Sequence, residues 1–356
     1  MNNRRISVQA PSNIALVKYM GKLDAAINLP ANASFSLTLD SLCTYVEISA
    51  SAKHGIHWIA EVPEKAKGNP EAKAPKLSES GIARMTRHFE RVRNQLPEVF
   101  AHYGLAVTDS QAVEIRTANT FPSDSGIASS ASSFAAVTLA TALFFVDDSK
   151  KFMKLWDSDL EFRRAIAMIS RQGSGSSCRS FEGPWVMWGK EKAGSVFDGV
   201  KNPMPELTDL VVLIGSAPKE VSSSQAHLLV KTSPLWHGRT ERTTNRLSFA
   251  IQALKAGDLS KISKMAWDEM WEMHSLFHTC ETPFTYFEPG TIEVLKWLSP
   301  QREAAQLIVT MDAGANVHVL VRSGEAATWK AKLEKAFPGF KILSDVQGTG
   351  PKVLEL

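Results

Sequence analysis

A run of thirteen mostly apolar residues, 134–146, follows directly on the small-residue stretch Pro122-Ser123-Asp124-Ser125-Gly126-Ile127-Ala128-Ser129-Ser130-Ala131. A helix that is apolar on every side must be buried, so the rest of the fold has to cover this run all round. The stretch before it reads as a loop feeding that helix. Small residues and a glycine at a helix start let the backbone approach a ligand closely, and the first turn's N–H groups and positive dipole end favour an anion. A phosphate is the obvious guest, and an ordinary serine-capped core helix is the alternative.

With 356 residues and 44% hydrophobic composition the chain supports a large core, and its length favours two domains over one. A net charge of +3, from 40 Lys and Arg against 37 Asp and Glu, is too small to imply a polyanionic partner by itself, and no nucleic-acid partner is expected. Cys43, Cys178 and Cys280 are odd in number and widely spaced, which suggests neither a disulfide framework nor a structural zinc site and fits a reducing cytoplasm. The charged N-terminus leads into the alternating residues 6–10, a strand pattern and not the apolar core of a signal peptide. No apolar run approaches the roughly eighteen residues of a membrane helix, so a soluble protein with no membrane partner is expected.

Strand patterns occupy 6–10, 34–39 and 44–50. Between the first two, Lys18-Tyr19-Met20-Gly21-Lys22 reads either as an anion-holding turn or as a solvated one. Residues 63–78, rich in Lys, Pro, Ala and Gly, read as a mobile loop that needs a ligand to order it. The helix expected over 79–96 gathers Arg84, Arg87, His88, Arg91 and Arg93 on one side. Without interleaved aromatics, that face reads as solvated. A strand over 111–117 enters the phosphate-loop candidate. A helix over 159–171 breaks at a second Gly/Ser loop, Gln172-Gly173-Ser174-Gly175-Ser176-Ser177-Cys178-Arg179-Ser180. Serine hydroxyls, loop N–H groups and a guanidinium fork are what a diphosphate requires; a flexible turn before the strand at 185–189 is the alternative.

The second half reads as strand 209–215, helices within 233–299, strands 306–311 and 316–322, helix 325–337 and strand 340–347. That is the β-α-β-β-α-β order of a ferredoxin-like sandwich, with a domain boundary near 205. His274 and His278 lie four apart but lack a third metal ligand, and Met265, Trp267, Met270, Trp271 and Met273 form a stripe that reads as core. In the hairpin Met311-Asp312-Ala313-Gly314-Ala315-Asn316, Asp312 is good turn chemistry. Beside a lysine it would instead suit a phosphate-transfer site, orienting or deprotonating the attacking hydroxyl while the ammonium keeps it ionised.

These stretches together resemble the GHMP small-molecule kinases and, within them, the mevalonate diphosphate decarboxylases. The resemblance rests on residues 10–22, on 29–38, on the phosphate loop 121–131, on the Gly-Ser-Gly-Ser-x-Cys-Arg-Ser loop ending at Ser180, on 232–235 and on the Asp-Ala-Gly-x-Asn hairpin. It implies an α+β chain with the GHMP kinase fold: an N-terminal ribosomal-S5-like α/β nucleotide domain over 1–205 and a C-terminal ferredoxin-like sandwich over 206–356. It further implies ATP-dependent decarboxylation of mevalonate 5-diphosphate to isopentenyl diphosphate, with ATP and Mg2+ as cofactors and a homodimeric assembly. Position for position, Asp312 and Lys18 take the catalytic roles. Asn13, Tyr19, Lys22, Ser174, Ser176, Arg179 and Ser223 fall on the substrate side, and Asn119, Gly126, Ala128, Ser129 and Ser130 on the ATP side; metal ligands are not assigned. The sequence departs from the family at Met20, usually Trp, at Leu23, commonly Arg, and at Asp124-Ser125. It also lacks an arginine that the family supplies from the 63–78 loop. Retention of both Lys18 and Asp312 argues against a sibling kinase that stops at phosphorylation, and a catalytically silent ligand binder is the remaining alternative.

Overall fold

The computed structural model describes residues 4–76, 78–109, 112–122, 129–215 and 219–356. Its first half runs β1 (Arg5–Val17), β2 (Lys22–Asp24), β3 (Leu29–Pro30), β4 (Ser34–Ala50), β5 (Gly55–Ile59), α1 (Glu79–His102), β6 (Ala112–Asn119), α2 (Ser129–Phe145), α3 (Ser149–Ser158), α4 (Leu160–Arg171), β7 (Trp185–Trp188) and β8 (Ala193–Ser195). The second runs β9 (Leu207–Leu213), α5 (Ser223–Leu229), α6 (Arg239–Lys255), α7 (Leu259–Thr279), α8 (Pro289–Ala305), β10 (Ile308–Thr310), β11 (Val317–Arg322), α9 (Ala326–Ala336), β12 (Lys341–Val346) and β13 (Lys352–Glu355).

The apolar run fulfils its demand for cover. Fourteen of the seventeen residues of α2 are buried, packed against β1 and β4 on one side and α1 and α4 on the other. Its two threonine hydroxyls bond within the helix: Thr138 and Thr141 donate to Phe134 O and Val137 O, each at 2.7 Å. The sheet beneath has the order β13-β1-β4-β6-β5, with β7 also on β4 and β8 on β7, and it is antiparallel except for β5 with β6.

In the second half the order β10-β11-β9-β12, antiparallel throughout, is the arrangement expected of the split βαβ sandwich. The halves share apolar packing: Ile14, Leu16, Phe35 and Leu37 cluster with Val211, Leu247, Ile262 and Leu320.

Residues 34–39 and 44–50 belong to one strand. Its register with β1 slips between Pro11 and Asn13. The N–H groups of Ser41 and Leu42, freed there, donate to the Asp345 carboxylate at 2.8 and 2.7 Å, so the bulge is a tie between the halves. The boundary near 205 is likewise crossed by the chain's end, since β13 returns to pair with β1. Residues 63–76, expected to be a mobile loop, are largely exposed but anchored at two points. Ala66 is fully buried, and the backbone of Lys73 bridges Asn119.

Candidate active site

A cavity of about 410 Å³ opens between the end of β1, the start of α2, the second Gly/Ser loop and the turn at Asp312. That size suits a small-molecule ligand. Counted over the described residues, five cationic side chains line it, Lys18, Lys22, Arg84, Arg179 and Lys219, against the single carboxylate of Asp312. Such an imbalance in a recess attracts a polyanion.

Strand β1 delivers Lys18 to the cavity with 1% exposure, and its Nζ donates to Asp312 Oδ1 at 2.7 Å and to Ala15 O at 2.5 Å. The Asp312 turn is pinned by Asn316, whose Oδ1 accepts from the N–H groups of Ile214 and Gly215. The Asp312 side chain keeps 21% exposure, so the pair is open on its carboxylate side. Burial acts to raise the Asp312 pKa, but Lys18, helped by His318 and Arg179, outweighs it and holds the carboxyl below its usual range. Burial pulls the Lys18 ammonium down from the usual lysine range, against the opposing pull of Asp312. An ionised carboxylate beside an ammonium can take a hydroxyl proton while the ammonium offsets charge on a moving phosphoryl group.

Arg179 is 2% exposed; its Nε donates to Asn13 Oδ1 at 3.1 Å and its Nη1 to Ser34 Oγ at 2.7 Å. Asn13 also donates to Ser180 Oγ at 2.9 Å, so it braces Arg179 and does not line the cavity itself. Gly175 lets this loop lie against Tyr19, since a Cβ there would meet the ring at 2.5 Å. The Tyr19 hydroxyl is buried without a partner among the described residues, and burial pushes its pKa up, leaving a neutral donor without an acceptor. The two Gly/Ser loops meet where the Ser130 and Ser174 hydroxyls lie 3.0 Å apart.

Of the residues singled out from sequence, Lys18, Tyr19, Lys22, Ser129, Ser130, Ser174, Ser176, Arg179, Ser223 and Asp312 line one cavity. Asn119 stands behind it, accepting from Thr44 Oγ1 at 2.9 Å. Gly126 and Ala128, with Asp124 and Ser125, lie outside the described residues. Met20 is buried beside Ala226, Met273 and Phe277, whereas Leu23 is 56% exposed.

Three features were not assigned to the site from sequence. The basic face of α1 is not simply solvated: Arg84 lines the cavity rim and donates to Gly173 O at 3.0 Å, and Arg91 donates to Gln172 O at 2.7 Å, so this face grips the second Gly/Ser loop. The clustered arginine spacing was the signal. His227 also lines the cavity, with no local motif to mark it. Behind Lys18, its backbone N–H donates to Glu269 Oε1 at 3.0 Å. Glu269 in turn is paired with Arg239 and Arg246. The signal there was Arg239, Arg242 and Arg246 facing Glu269 and Glu272 on consecutive helices.

Residues 10–197 match the diphosphomevalonate decarboxylase-like N-terminal domain, and residues 210–353 the mevalonate 5-diphosphate decarboxylase C-terminal domain. The chain is 30% identical to a diphosphomevalonate decarboxylase of Gibberella zeae, over 90% of this chain and 82% of the relative. It is 34% identical to a mevalonate diphosphate decarboxylase of known structure from Legionella pneumophila, with a TM-score of 0.75, covering 96% of this chain and 100% of that one. A structure of MDDEF in complex with MVAPP, AMPPCP and magnesium aligns with a TM-score of 0.79 at 25% identity, covering 99% of each chain. With the fold and both halves matched, the chain belongs to the diphosphomevalonate decarboxylase family, on the GHMP kinase fold.

Proposed function

We infer that this chain converts mevalonate 5-diphosphate and ATP into isopentenyl diphosphate, ADP, phosphate and carbon dioxide. The observation that carries this reading is the Lys18–Asp312 pair, 2.7 Å apart, at the edge of a cavity whose other charged side chains among the described residues are all cations. Family membership and the relative bound to MVAPP and AMPPCP support the same reading.

A tertiary hydroxide is a poor leaving group, so the substrate's 3-hydroxyl is first phosphorylated. Asp312 receives the hydroxyl proton, and Lys18 offsets the charge on the transferred group. Departure of phosphate leaves positive character at C3, which loss of the carboxylate quenches as an alkene. Arg179, Tyr19, Lys22 and the hydroxyls of Ser174, Ser176 and Ser223 hold the unreacting 5-diphosphate, whose binding energy fixes the reacting carbon. Asn13 acts by bracing Arg179. On the nucleotide side Ser129 and Ser130, at the start of α2, face the phosphates with first-turn N–H groups, while Asn119, Gly126 and Ala128 complete that side by resemblance.

Among the described residues no group of three or more His, Cys, Asp or Glu could hold a metal. Magnesium carried on the nucleotide phosphates would take few oxygens from the protein, here the Ser129 and Ser130 hydroxyls. When bound, the ion neutralises phosphate charge.

No helix among the described residues is long and apolar enough to cross a membrane. The three buried free cysteines fit a reducing cytoplasm. Homodimer assembly is the family expectation, which sedimentation equilibrium reads directly. The function is tested by offering purified protein mevalonate, its 5-phosphate and its 5-diphosphate with ATP. Carbon dioxide and ADP should appear together with the diphosphate alone; ADP without carbon dioxide would make the chain a kinase.

A further inference from the structure

The turn that carries Tyr19 and Lys22 is pressed onto the second half of the chain. Gly21 has a φ of +83°, and a Cβ there would lie 2.1 Å from the Trp236 ring, so both the backbone shape and the close approach require glycine. The Gly21 N–H donates to His227 Nδ1 at 2.9 Å. A backbone N–H can only donate, so Nδ1 is the bare nitrogen and the ring proton sits on Nε2. That Nε2–H has no partner among the described residues.

His227 is 8% exposed, lines the cavity with Lys22 and Ser223, and packs against the Tyr19 ring with centroids 4.3 Å apart. Burial, with Lys22 and Lys231 adding positive charge nearby, pulls its pKa down to about 3, so the ring enters the reaction neutral. The cavity thus has two ends. Lys18 and Asp312 pair at the first, and Lys22, Ser223 and His227 line the second.

We propose that His227 is a positioning and specificity residue for the diphosphate: Nδ1 holds the Tyr19–Lys22 turn in place, and Nε2–H donates to a non-bridging oxygen of the substrate's distal phosphate. The inference rests on reading the cavity as a mevalonate 5-diphosphate site. A monophosphate, one phosphoryl group shorter, does not reach that donor and forfeits a hydrogen bond to a charged group, which is what discriminates against a truncated ligand.

The test compares His227→Phe, which keeps a ring against Tyr19, with His227→Gln, whose amide can both accept from Gly21 and donate. His227→Phe should raise KM for the diphosphate about 10-fold, the lower end of the range for one hydrogen bond to a charged group. It should erode selectivity over the monophosphate by the same factor and leave the KM for ATP unchanged. His227→Gln should recover most of the loss. An unchanged diphosphate KM in His227→Phe overturns the proposal. So does a loss shared equally by ATP and substrate, with a lowered melting temperature and no rescue by Gln. Calorimetric titration with inorganic diphosphate gives the same comparison without turnover, about 10-fold weaker binding in His227→Phe being expected. If wild-type protein turns over no mevalonate derivative, the proposed reaction fails while this binding result still decides the role of His227.

Discussion

Lys18 stands between two systems of opposite charges. Towards the cavity its ammonium pairs with one carboxylate among the described residues, Asp312, whose side chain is 21% exposed. Behind it, its backbone N–H meets Glu269, which is fully buried and also takes Arg239 and Arg246, while Glu272 takes Arg239, Arg242 and Arg246. Both oxygens of Glu269 are occupied; an oxygen of Asp312 still faces open space. The chemical ingredients are the same, and saturation separates them. A buried carboxylate with every acceptor site filled fixes structure, whereas one left accessible beside a single ammonium can exchange a proton with a ligand.

Substitutions on the two sides should therefore fail differently. Lys18→Met should lower kcat by about 10² to 10⁴-fold, the usual range for a positioned acid or base system, while far-ultraviolet circular dichroism stays native. A normal kcat in that variant would collapse the distinction. Glu269→Ala should cost stability instead, about 3–5 kcal/mol for a buried charge network deprived of its acid, read as a fall in the denaturation midpoint. If its midpoint is unchanged and only kcat falls, the rear network belongs to the chemistry too. Arg179→Gln should weaken use of the diphosphate by roughly 10 to 100-fold, the range for a hydrogen bond to a charged group, with the KM for ATP spared. An unchanged apparent affinity for the diphosphate removes Arg179 from that role.

The smallest effect is a displacement of the pH profile. Activity on this account needs Asp312 ionised and Lys18 protonated. Because Asp312 is held below the usual carboxylate range, the acid fall in kcat/KM should come at lower pH than an ordinary aspartate gives. Because burial pulls Lys18 down, the alkaline fall should come below the ordinary lysine range. A profile still flat through the ordinary lysine range would mean that Lys18 is not the ionising group.

Features encoded locally were legible from the sequence. The apolar run of α2, the second Gly/Ser loop and the Asp312 hairpin each declare themselves within a dozen residues, and the C-terminal strand order followed from its alternating elements. Features made by partners distant in the chain were not. Glu269 meets the backbone of Lys18 across 251 positions, and nothing near either residue announces it. Arg84 looked solvated because a helix face shows its charges but not the loop that will cover them. Residues 63–76 looked mobile because their anchors, the packing of Ala66 with Cys43 and Tyr45 and the bridge from Lys73 to Asn119, are tertiary. Likewise β13 is short, and its partner β1 lies at the far end of the chain.

The most direct measurement is substrate-dependent ADP release by Asp312→Asn, taken with its thermal melt and its binding of mevalonate 5-diphosphate. The account predicts no ADP above the rate without substrate, an unchanged melt and retained binding, because Asp312 faces the cavity through an otherwise unused oxygen. Near-normal ADP release from that variant would contradict it.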